Sequence, residues 1–342
     1  MKKIKTKDAV GQILCYDITG IGKDFKGPVF KRGHVIQEED LERLYDLGKQ
    51  NIFVWEENAG EIHEEDAALR LAEIAKTEGA TFTGPSEGKM VLTADRAGML
   101  RVNVPLLYKI NSIGDITIST LPDHYPCHKG SKLAAMRIVP LVTQESQIIE
   151  AEEMAKEADR PLIEFLPYEN KKIGIIITGS EIYNGRIEDL FEEVIRRKAA
   201  QYPTEILSCT ICDDDLDMLK DAIDSYLAQD VDIIIMTGGM SVDPDDLTPT
   251  AIRQSGAEII RHGTPSQPGN MLLVSYLNDI AIIGVPGAAV RQPTTTFDVI
   301  LPQLMTGVKL TYEDIVRLSD GGFCQSCGTE ACQWPNCTFG RY

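Results

Sequence analysis

The chain lacks any long run of apolar residues. No stretch approaches the roughly 18 consecutive apolar residues of a membrane-spanning helix. The basic start, "MKKIKTKD", is not followed by an apolar segment of signal-peptide length. These absences predict a cytoplasmic protein that uses no membrane, in a compartment where thiols stay reduced.

The chain is also short of positive charge. Its 342 residues include 34 Lys and Arg against 52 Asp and Glu, which gives a formal net charge of -18. Such a surface keeps a protein soluble and disfavours non-specific binding to nucleic acid. An anionic ligand must therefore be held by local geometry, by a few cations or by a metal ion.

Two familiar phosphate-binding motifs are missing. The sequence has no G-x-x-x-x-G-K-[ST], because "GPSEGKM" has the wrong spacing and places Met90 where a hydroxyl is needed. It has no G-x-G-x-x-G after a strand either. An ordinary nucleoside triphosphatase and a dinucleotide-dependent dehydrogenase are both disfavoured.

What the sequence does have, from about Lys171 onward, is a regular alternation of apolar strands and amphipathic helices. The segments "KIGIIITGSE" and "VDIIIMTGG" are interpreted as buried strands that enter glycine turns. This alternation predicts an α/β fold, a mostly parallel sheet with helices on both faces. One predicted helix places the following residues on its apolar face: Ile187, Leu190, Phe191, Val194 and Ile195.

The first 170 residues show a different pattern, in which helical segments mix with short strands broken by Gly and Pro. We expect an α+β domain with a β-rich portion, followed by a linker at "EADRPLIEFLPYENKK". The predicted domains are residues 1–170, of unknown role, the α/β domain at 171–310, and a tail at 311–342.

The turn "MTGGMSVDPDDLTPTAI" combines two features that oppose each other. Adjacent glycines can bring backbone N–H groups close to a phosphate, whereas the aspartates repel it. A bridging Mg²⁺ removes the conflict, since Asp243, Asp245 and Asp246 offer the oxygen ligands that it prefers. The alternative is an Asp-rich loop that caps a helix and does nothing else. In either case a helix is predicted to start at Thr248, whose hydroxyl can cap it, with Pro249 at the first helical position.

A second strand end, Thr178-Gly179-Ser180-Glu181, resembles the first in composition. The carboxyl ends of parallel strands meet at one edge of a sheet, where ligands gather. The hydroxyls of Thr178, Ser180, Thr237 and Ser241 can satisfy phosphate oxygens without adding positive charge.

Five motifs in order along residues 171–310 resemble those of the molybdenum-cofactor biosynthesis family. They are "TGSEIYNGRIEDLF", "DDDLDMLKDAI", "TGGMSVDPDDLTPTAI", "TPSQPGN" and "GVPGAAV". In that family, molybdopterin adenylyltransferases and molybdopterin molybdotransferases share a molybdopterin-binding α/β domain. The whole chain resembles a bacterial branch described only as molybdopterin-binding.

The resemblance implies roles for particular residues. Asp246 and its counterpart Asp213 would be the catalytic carboxylates. Two positions depart from the family pattern, because Ser180 replaces an Asp and Ala288 replaces an Asn. The residues that the resemblance assigns to the cofactor are Thr178, Gly179, Ser180, Glu181, Asp189, Thr237, Gly238, Gly239, Met240, Ser241, Pro268, Gly269, Pro286 and Gly287.

The resemblance implies an enzyme that acts on molybdopterin with Mg²⁺. It would either adenylylate molybdopterin with ATP or insert molybdenum from molybdate. The alternative is a non-catalytic carrier or maturation chaperone that delivers molybdopterin to a molybdoenzyme. A sensor of molybdopterin is a third hypothesis, and the family also implies a homo-oligomer.

The tail contains a group of cysteines, Cys324, Cys327, Cys332 and Cys337, with the spacing C-x2-C-x4-C-x4-C. Four thiols so close together in a reducing compartment predict a tetrahedral thiolate site. The spacing does not choose between zinc and an iron–sulfur cluster. The alternative is a set of exposed thiols without a metal.

Overall fold

The computed structural model describes residues 1–21, 26–56, 58–240, 246–327 and 332–341. The chain forms two compact units. The first comprises Met1–Thr93, Val102–Leu121 and Ser131–Glu164, and the second Ala94–Arg101, Pro122–Gly130 and Phe165–Tyr342. The domain boundary expected at residue 170 falls just inside the last of these segments.

The strands are numbered along the chain: β1 Lys2–Lys5, β2 Ile18–Ile21, β3 Lys26–Phe30, β4 Asn51–Val54, β5 Glu61–His63, β6 Ala80–Ser86, β7 Lys89–Ala94, β8 Gly98–Val102, β9 Ile116–Thr120, β10 Tyr125–Cys127, β11 Lys132–Ile138, β12 Val142–Gln144, β13 Ile163–Pro167, β14 Lys171–Thr178, β15 Thr204–Cys212, β16 Ile233–Thr237, β17 Glu258–His262, β18 Leu273–Leu277 and β19 Ile280–Val285. The helices are α1 Asp40–Asp46, α2 Glu64–Ile74, α3 Val104–Asn111, α4 Glu145–Glu157, α5 Ser180–Tyr183, α6 Phe191–Ala199, α7 Leu216–Leu227, α8 Thr248–Gln254, α9 Ala288–Arg291, α10 Thr296–Met305 and α11 Tyr312–Arg317.

The first unit has the expected α+β character. One of its sheets has the order β6-β7-β11-β9, with β11 antiparallel to both β7 and β9. Short antiparallel pairs join β1 to β4, β2 to β3 and β5 to β12. A separate apolar cluster lies near β1 and β4 and includes Leu14, Ile18, Ile36, Leu44 and Ile52.

The second unit contains the predicted α/β fold. Within the described residues its sheet has six strands in the order β15-β14-β16-β19-β18-β17. Strands β15, β14, β16 and β19 run parallel, and β18 runs antiparallel to both of its neighbours. The mostly parallel sheet is thus confirmed, and β18 is the strand that reverses direction.

The apolar runs of the strands supply two cores, one on each face of this sheet. Ile173, Ile175 and Ile177 of β14 belong to one buried cluster, whereas Ile176 belongs to the other. Side chains alternate across a strand, so a strand covered on both faces needs this continuous apolar sequence. Helices α6 and α10 contribute to the first cluster, and α7 and α8 to the second.

The helix predicted from Ile187 onward begins later than expected. Helix α6 starts at Phe191 because the carboxylate of Asp189 accepts hydrogen bonds from the backbone N–H groups of Phe191 and Glu192, each at 2.9 Å. A carboxylate in that position ends the preceding loop and caps the helix. Ile187 and Leu190 therefore lie outside the helix and are 53% and 56% exposed.

The predicted capping role of Thr248 is also wrong. Its Oγ1 donates to the carbonyl oxygen of Gly238 at 2.9 Å, so the hydroxyl is used for the glycine turn and not for the helix. Helix α8 nevertheless begins at Thr248, with Pro249 in its first turn as expected.

No described helix is both long and apolar enough to cross a membrane.

Candidate functional site

The carboxyl ends of the parallel strands lie at one level. In the sheet register Thr178 at the end of β14 pairs with Cys212 of β15, and Thr237 at the end of β16 pairs with Ile177 and with Val285 of β19. The residues that follow these strand ends are therefore neighbours. The sequence predicted that the two glycine turns would lie at the same edge of the sheet.

A network of hydrogen bonds joins the first motif to the acidic turn after β15. Thr178 Oγ1 donates to Asp214 Oδ1 at 2.8 Å, and the backbone N–H of Ser180 donates to Asp214 Oδ2 at 2.8 Å. Ser180 Oγ donates to Asp213 Oδ1. Two carboxylates are thus held at the sheet edge by a hydroxyl-bearing strand end. Asp214 was missed by the sequence reasoning, although it adjoins Asp213.

The turn after β16 lies directly against the end of β14. Gly238 has φ +86° and an added Cβ would lie 1.9 Å from the carbonyl oxygen of Thr178, so only glycine fits. Gly239 follows with φ +52°. Thr237 is fully buried, and its Oγ1 has no hydrogen-bond partner among the described residues. A buried hydroxyl without a partner is uncommon in proteins and is consistent with a site that accepts a polar ligand.

The remainder of this turn is only partly described. Ser241, Asp243 and Asp245 lie outside the described residues, so their predicted contacts with phosphate and Mg²⁺ stay predictions. Asp246 is half-buried, just before helix α8. Met240 is 5% exposed and packs in the second core, where its Sδ would lie 2.6 Å from a Cβ added to Gly284. Its side chain therefore points into the core, so only its backbone atoms can contact a ligand.

The late motifs lie in two further loops. The carbonyl oxygen of Pro268 accepts hydrogen bonds from Thr296 N at 3.0 Å and Thr296 Oγ1 at 3.1 Å. Gly269 has φ +100° and lies against the start of α10. Pro286 is buried and its carbonyl accepts from Ala289 N, whereas Gly287 is exposed and has open space beside it.

A cleft of about 660 Å³ lies beside these loops, a volume within the usual range for small-molecule sites. One wall comes from the first motif and the loop after it, and the other from the late loops and α9. Its lining residues are Glu181, Ile182, Ile187, Glu188, Leu190, Phe191, Pro268, Gly287, Ala288, Val290, Arg291 and Gln292. Most of these were missed from the sequence; the exposed apolar residues Ile187 and Leu190 would have been the signal, had the start of α6 been placed correctly.

The predicted site residues of the first motif differ in their exposure and in their contacts. Gly179 is buried at the strand end with φ +152°, and Glu181 is exposed and faces the cleft. The carboxylate of Asp189 is engaged by the N–H groups of α6. Asp189 therefore caps the start of helix α6, and its predicted role toward the cofactor stays a prediction.

The four tail cysteines do not form the predicted thiolate site in the described part of the chain. No three His, Cys, Asp or Glu residues there are grouped so that they could hold a metal ion. Cys324 and Cys337 pack against the sheet core, Cys332 Sγ lies 3.2 Å from Thr294 Oγ1, and Cys327 is exposed. Each thiol has its own surroundings, so zinc or an iron–sulfur cluster has no support from this arrangement.

Three other cysteines, Cys15, Cys127 and Cys209, are less exposed than Cys327. Burial raises the pKa of Cys15 to about 11 and those of Cys127 and Cys209 to about 12. Because the thiolate is the reactive form, these three thiols are almost fully protonated at neutral pH. We expect iodoacetamide at pH 7.5 to label Cys327 first, and labelling of Cys15, Cys127 and Cys209 to accelerate only as the pH approaches 11. Peptide mapping by mass spectrometry checks the order, and early labelling of Cys127 would contradict it.

A second, much smaller cavity of about 70 Å³ lies in the first unit, lined in part by Cys15, Trp55 and His63. His63 is buried, its Nδ1 accepts from Glu65 N and its Nε2 lies 2.6 Å from the carbonyl oxygen of Cys15. Burial, together with the nearby Arg32, lowers the pKa of His63. Both ring nitrogens are thus used in holding the fold, and the cavity is too small for a cofactor.

The sheet, its glycine turns and the adjoining cleft define the second unit as an α/β domain with a candidate ligand site at the carboxyl edge. Residues 174–306 match the family model described as "Probable molybdopterin binding domain". This part of the chain therefore belongs to the molybdopterin-binding domain family of molybdenum cofactor biosynthesis. Residues 3–56 match a model described as a domain of unknown function.

Curated relatives match a limited part of the chain. The molybdopterin molybdenumtransferase of Bacillus subtilis is 28% identical over 122 residues, which is 34% of this chain and 28% of that protein. A CinA-like protein of Mycobacterium sp. (strain JLS) is 33% identical over 90 residues, 26% of this chain and 21% of its own length. The chain thus spans less than a third of the length of either curated relative.

Among solved structures, the molybdopterin biosynthesis enzyme MoaB from Thermus thermophilus aligns with 42% of this chain and 99% of its own. The TM-score is 0.35 and the sequence identity 19%.

Proposed function

We propose that residues 174–306 bind molybdopterin at the carboxyl edge of the sheet and that the protein acts on it with Mg²⁺, as a molybdotransferase-type or adenylyltransferase-type enzyme. The observation that carries this proposal is the close packing of the two strand ends against each other. Gly238 lies against the carbonyl of Thr178, and Thr178 and Ser180 hold the carboxylates of Asp214 and Asp213. In this proposal the glycine turn binds the phosphate, and it lies at the same edge of the sheet as the two carboxylates.

The cleft provides the surroundings that a pterin ring needs. Its walls carry the apolar side chains of Ile182, Phe191 and Val290, and its rim carries Glu181 and Arg291. Small-molecule sites commonly combine apolar walls with a few polar groups that fix orientation. In this proposal the heterocycle occupies the cleft and the phosphate of molybdopterin reaches the turn at Gly238 and Gly239.

The donor set at the edge fits Mg²⁺ bound together with a phosphorylated ligand. Mg²⁺ usually takes one or two carboxylates and completes its shell with water and substrate phosphate oxygens. Asp213 and Asp214 supply such carboxylates, and both are half-buried. When bound, the ion would neutralise charge on the phosphate. The protein's own contribution is to orient the carboxylates through Thr178 and Ser180.

A non-catalytic carrier is the second candidate function, and one observation favours it. Ala288, which lines the cleft, presents a methyl group where the family resemblance places an amide side chain. A cleft with fewer polar groups can hold molybdopterin while lacking a group that the reaction needs. The proposal further includes ATP or molybdate as co-substrate, a molybdoenzyme as recipient, a homo-oligomeric assembly and a cytoplasmic location.

The variant Asp213→Asn separates the two functions. Its amide oxygen can still accept from Ser180 Oγ and Asp214 N, so the turn is preserved while the charge is lost. We expect molybdopterin binding to remain and the formation of adenylylated or molybdenum-loaded product to fall about 100-fold or more, as when a group that stabilises transition-state charge is removed. Binding is measured by titration and product by mass spectrometry.

The matched control is Asp217→Asn, which removes an exposed carboxylate from the first turn of α7. It should leave both binding and product unchanged. If the unaltered protein binds molybdopterin but forms neither adenylylated product with Mg·ATP nor molybdenum-loaded product from adenylylated molybdopterin and molybdate, the carrier function holds. If it does not bind molybdopterin, the whole proposal fails.

A further inference from the structure

The wall of the cleft that contains Pro268 belongs to a loop without regular secondary structure. From one side the start of α10 holds this loop, because Thr296 donates two hydrogen bonds to the carbonyl oxygen of Pro268. A Cβ added to Gly269 would lie 3.1 Å from Thr296 N, so the loop is close to that helix. These contacts fix one side of the loop only.

The C-terminal tail holds the same loop from the other side. Gln267 N donates to the carbonyl oxygen of Gly322 at 2.7 Å, and Cys324 N donates to the carbonyl oxygen of Gln267 at 2.9 Å. Gln267 and Phe323 thereby form a parallel β-bridge. A Cβ added to Gly322 would lie 2.7 Å from the carbonyl oxygen of Pro265. The backbone of the tail therefore lies directly on the loop.

The tail is itself anchored to the body of the second unit. Phe339 is buried in the sheet core, and Trp334 packs against the same cluster. Gly340 N donates to the carbonyl oxygen of Gly321 at 3.0 Å, which ties the end of the tail to its beginning. Cys332 Sγ lies 3.2 Å from Thr294 Oγ1, two residues beyond Gln292 in the same wall of the cleft. Because the tail is anchored at these points, it can fix the position of the loop to which it is hydrogen-bonded.

We propose that the tail residues Gly322–Cys324 are positioning residues for the ligand cleft: they hold Pro268 in place through the two backbone hydrogen bonds to Gln267. The inference rests on the proposed function for the identity of the ligand. A binding wall that is fixed before the ligand arrives loses less conformational entropy on binding, and this raises affinity. In this view the contribution of the cysteine-rich tail to the site lies in its backbone.

Two substitutions at one position test the proposal. Cys324→Pro removes the N–H that donates to Gln267, whereas Cys324→Ala removes the thiol and keeps that N–H. Phe323 pairs in an extended bridge, a conformation that a following proline tolerates. Hydrogen–deuterium exchange is followed in the peptides that contain Gln267 and Thr296, and affinity is measured by titration with molybdopterin.

We expect Cys324→Pro to accelerate exchange at Gln267 and Thr296 and to weaken molybdopterin binding, each about tenfold, the size expected for one lost backbone hydrogen bond. Cys324→Ala should match the unaltered protein, and exchange in β16 should be unchanged in both, which shows that the fold is intact. Equal exchange in the two variants overturns the inference, and so does faster exchange with unchanged affinity. If the unaltered protein fails to bind molybdopterin, the proposed function falls while the exchange result still decides whether the tail holds the loop.

Discussion

Alanine in place of Gly238 is expected to abolish molybdopterin binding and to destabilise the second unit. Two costs add: a non-glycine residue with left-handed φ costs about 1–2 kcal/mol, and overpacking a filled site costs about 1–3 kcal/mol. The new Cβ would lie 1.9 Å from the carbonyl oxygen of Thr178, so one of the two strand ends must move. Both strand ends belong to the proposed site, so this movement would separate the glycine turn from the carboxylates of Asp213 and Asp214. Chemical denaturation measures the stability, and titration measures the binding.

The matched control for this change is Gly130→Ala. Gly130 has φ +87°, almost the same as the +86° of Gly238, but a Cβ there meets nothing within 4 Å. It therefore carries the backbone cost without the collision, and we expect a loss of about 1–2 kcal/mol in the free energy of unfolding with unchanged binding. Equal effects of the two variants on both measurements would show that the contact between Gly238 and Thr178 does not organise the site.

Lys198→Met is expected to have the largest effect on stability. Lys198 Nζ lies 2.6 Å from Asp298 Oδ1, and the two side chains are only 4% and 8% exposed. The same ammonium donates to the carbonyl oxygen of Pro293 at 2.9 Å. Removing one partner of a buried pair leaves an uncompensated charge, which typically costs about 3–5 kcal/mol. The free energy of unfolding, measured by denaturation followed by circular dichroism, checks this value.

An ion pair on the same helix provides the comparison. Arg196 and Glu192 of α6 lie 2.8 Å apart, but their side chains are 44% and 38% exposed. Exposed pairs contribute about 0–1 kcal/mol, so Arg196→Met should change stability little. A loss for Lys198→Met as small as that for Arg196→Met would mean that water reaches the Asp298 carboxylate.

The strands of the second unit could be predicted because their sequence leaves few alternatives. A run such as "KIGIIIT" cannot face water on either side, so it requires a sheet covered on both faces. The reversed direction of β18 could not be predicted, since its apolar sequence resembles that of the parallel strands of the same sheet. Strand direction depends on the path of the connecting loops and on pairing with β17 and β19.

The cleft could not be predicted for a related reason. The apolar spacing of Ile187 and Leu190 fits a helix, and only the contact of the Asp189 carboxylate with the N–H groups of Phe191 and Glu192 places them in a loop. Spacing alone cannot distinguish a helical face from the lining of a site. The spacing of the tail cysteines was likewise insufficient to predict a shared site, because thiols that are close in sequence lie in separate surroundings.

The sequence by itself determined the α/β class of the second unit, the glycine turns at its strand ends and the family to which residues 174–306 belong. These properties are local: they follow from apolar periodicity, from residues that tolerate unusual φ angles and from motifs in fixed order. Only the tertiary structure decided that Asp214 joins Thr178, that Met240 faces the core and that the tail holds the Pro268 loop. Each of these contacts joins residues far apart in the chain, and its partner is set by the packing of the whole unit.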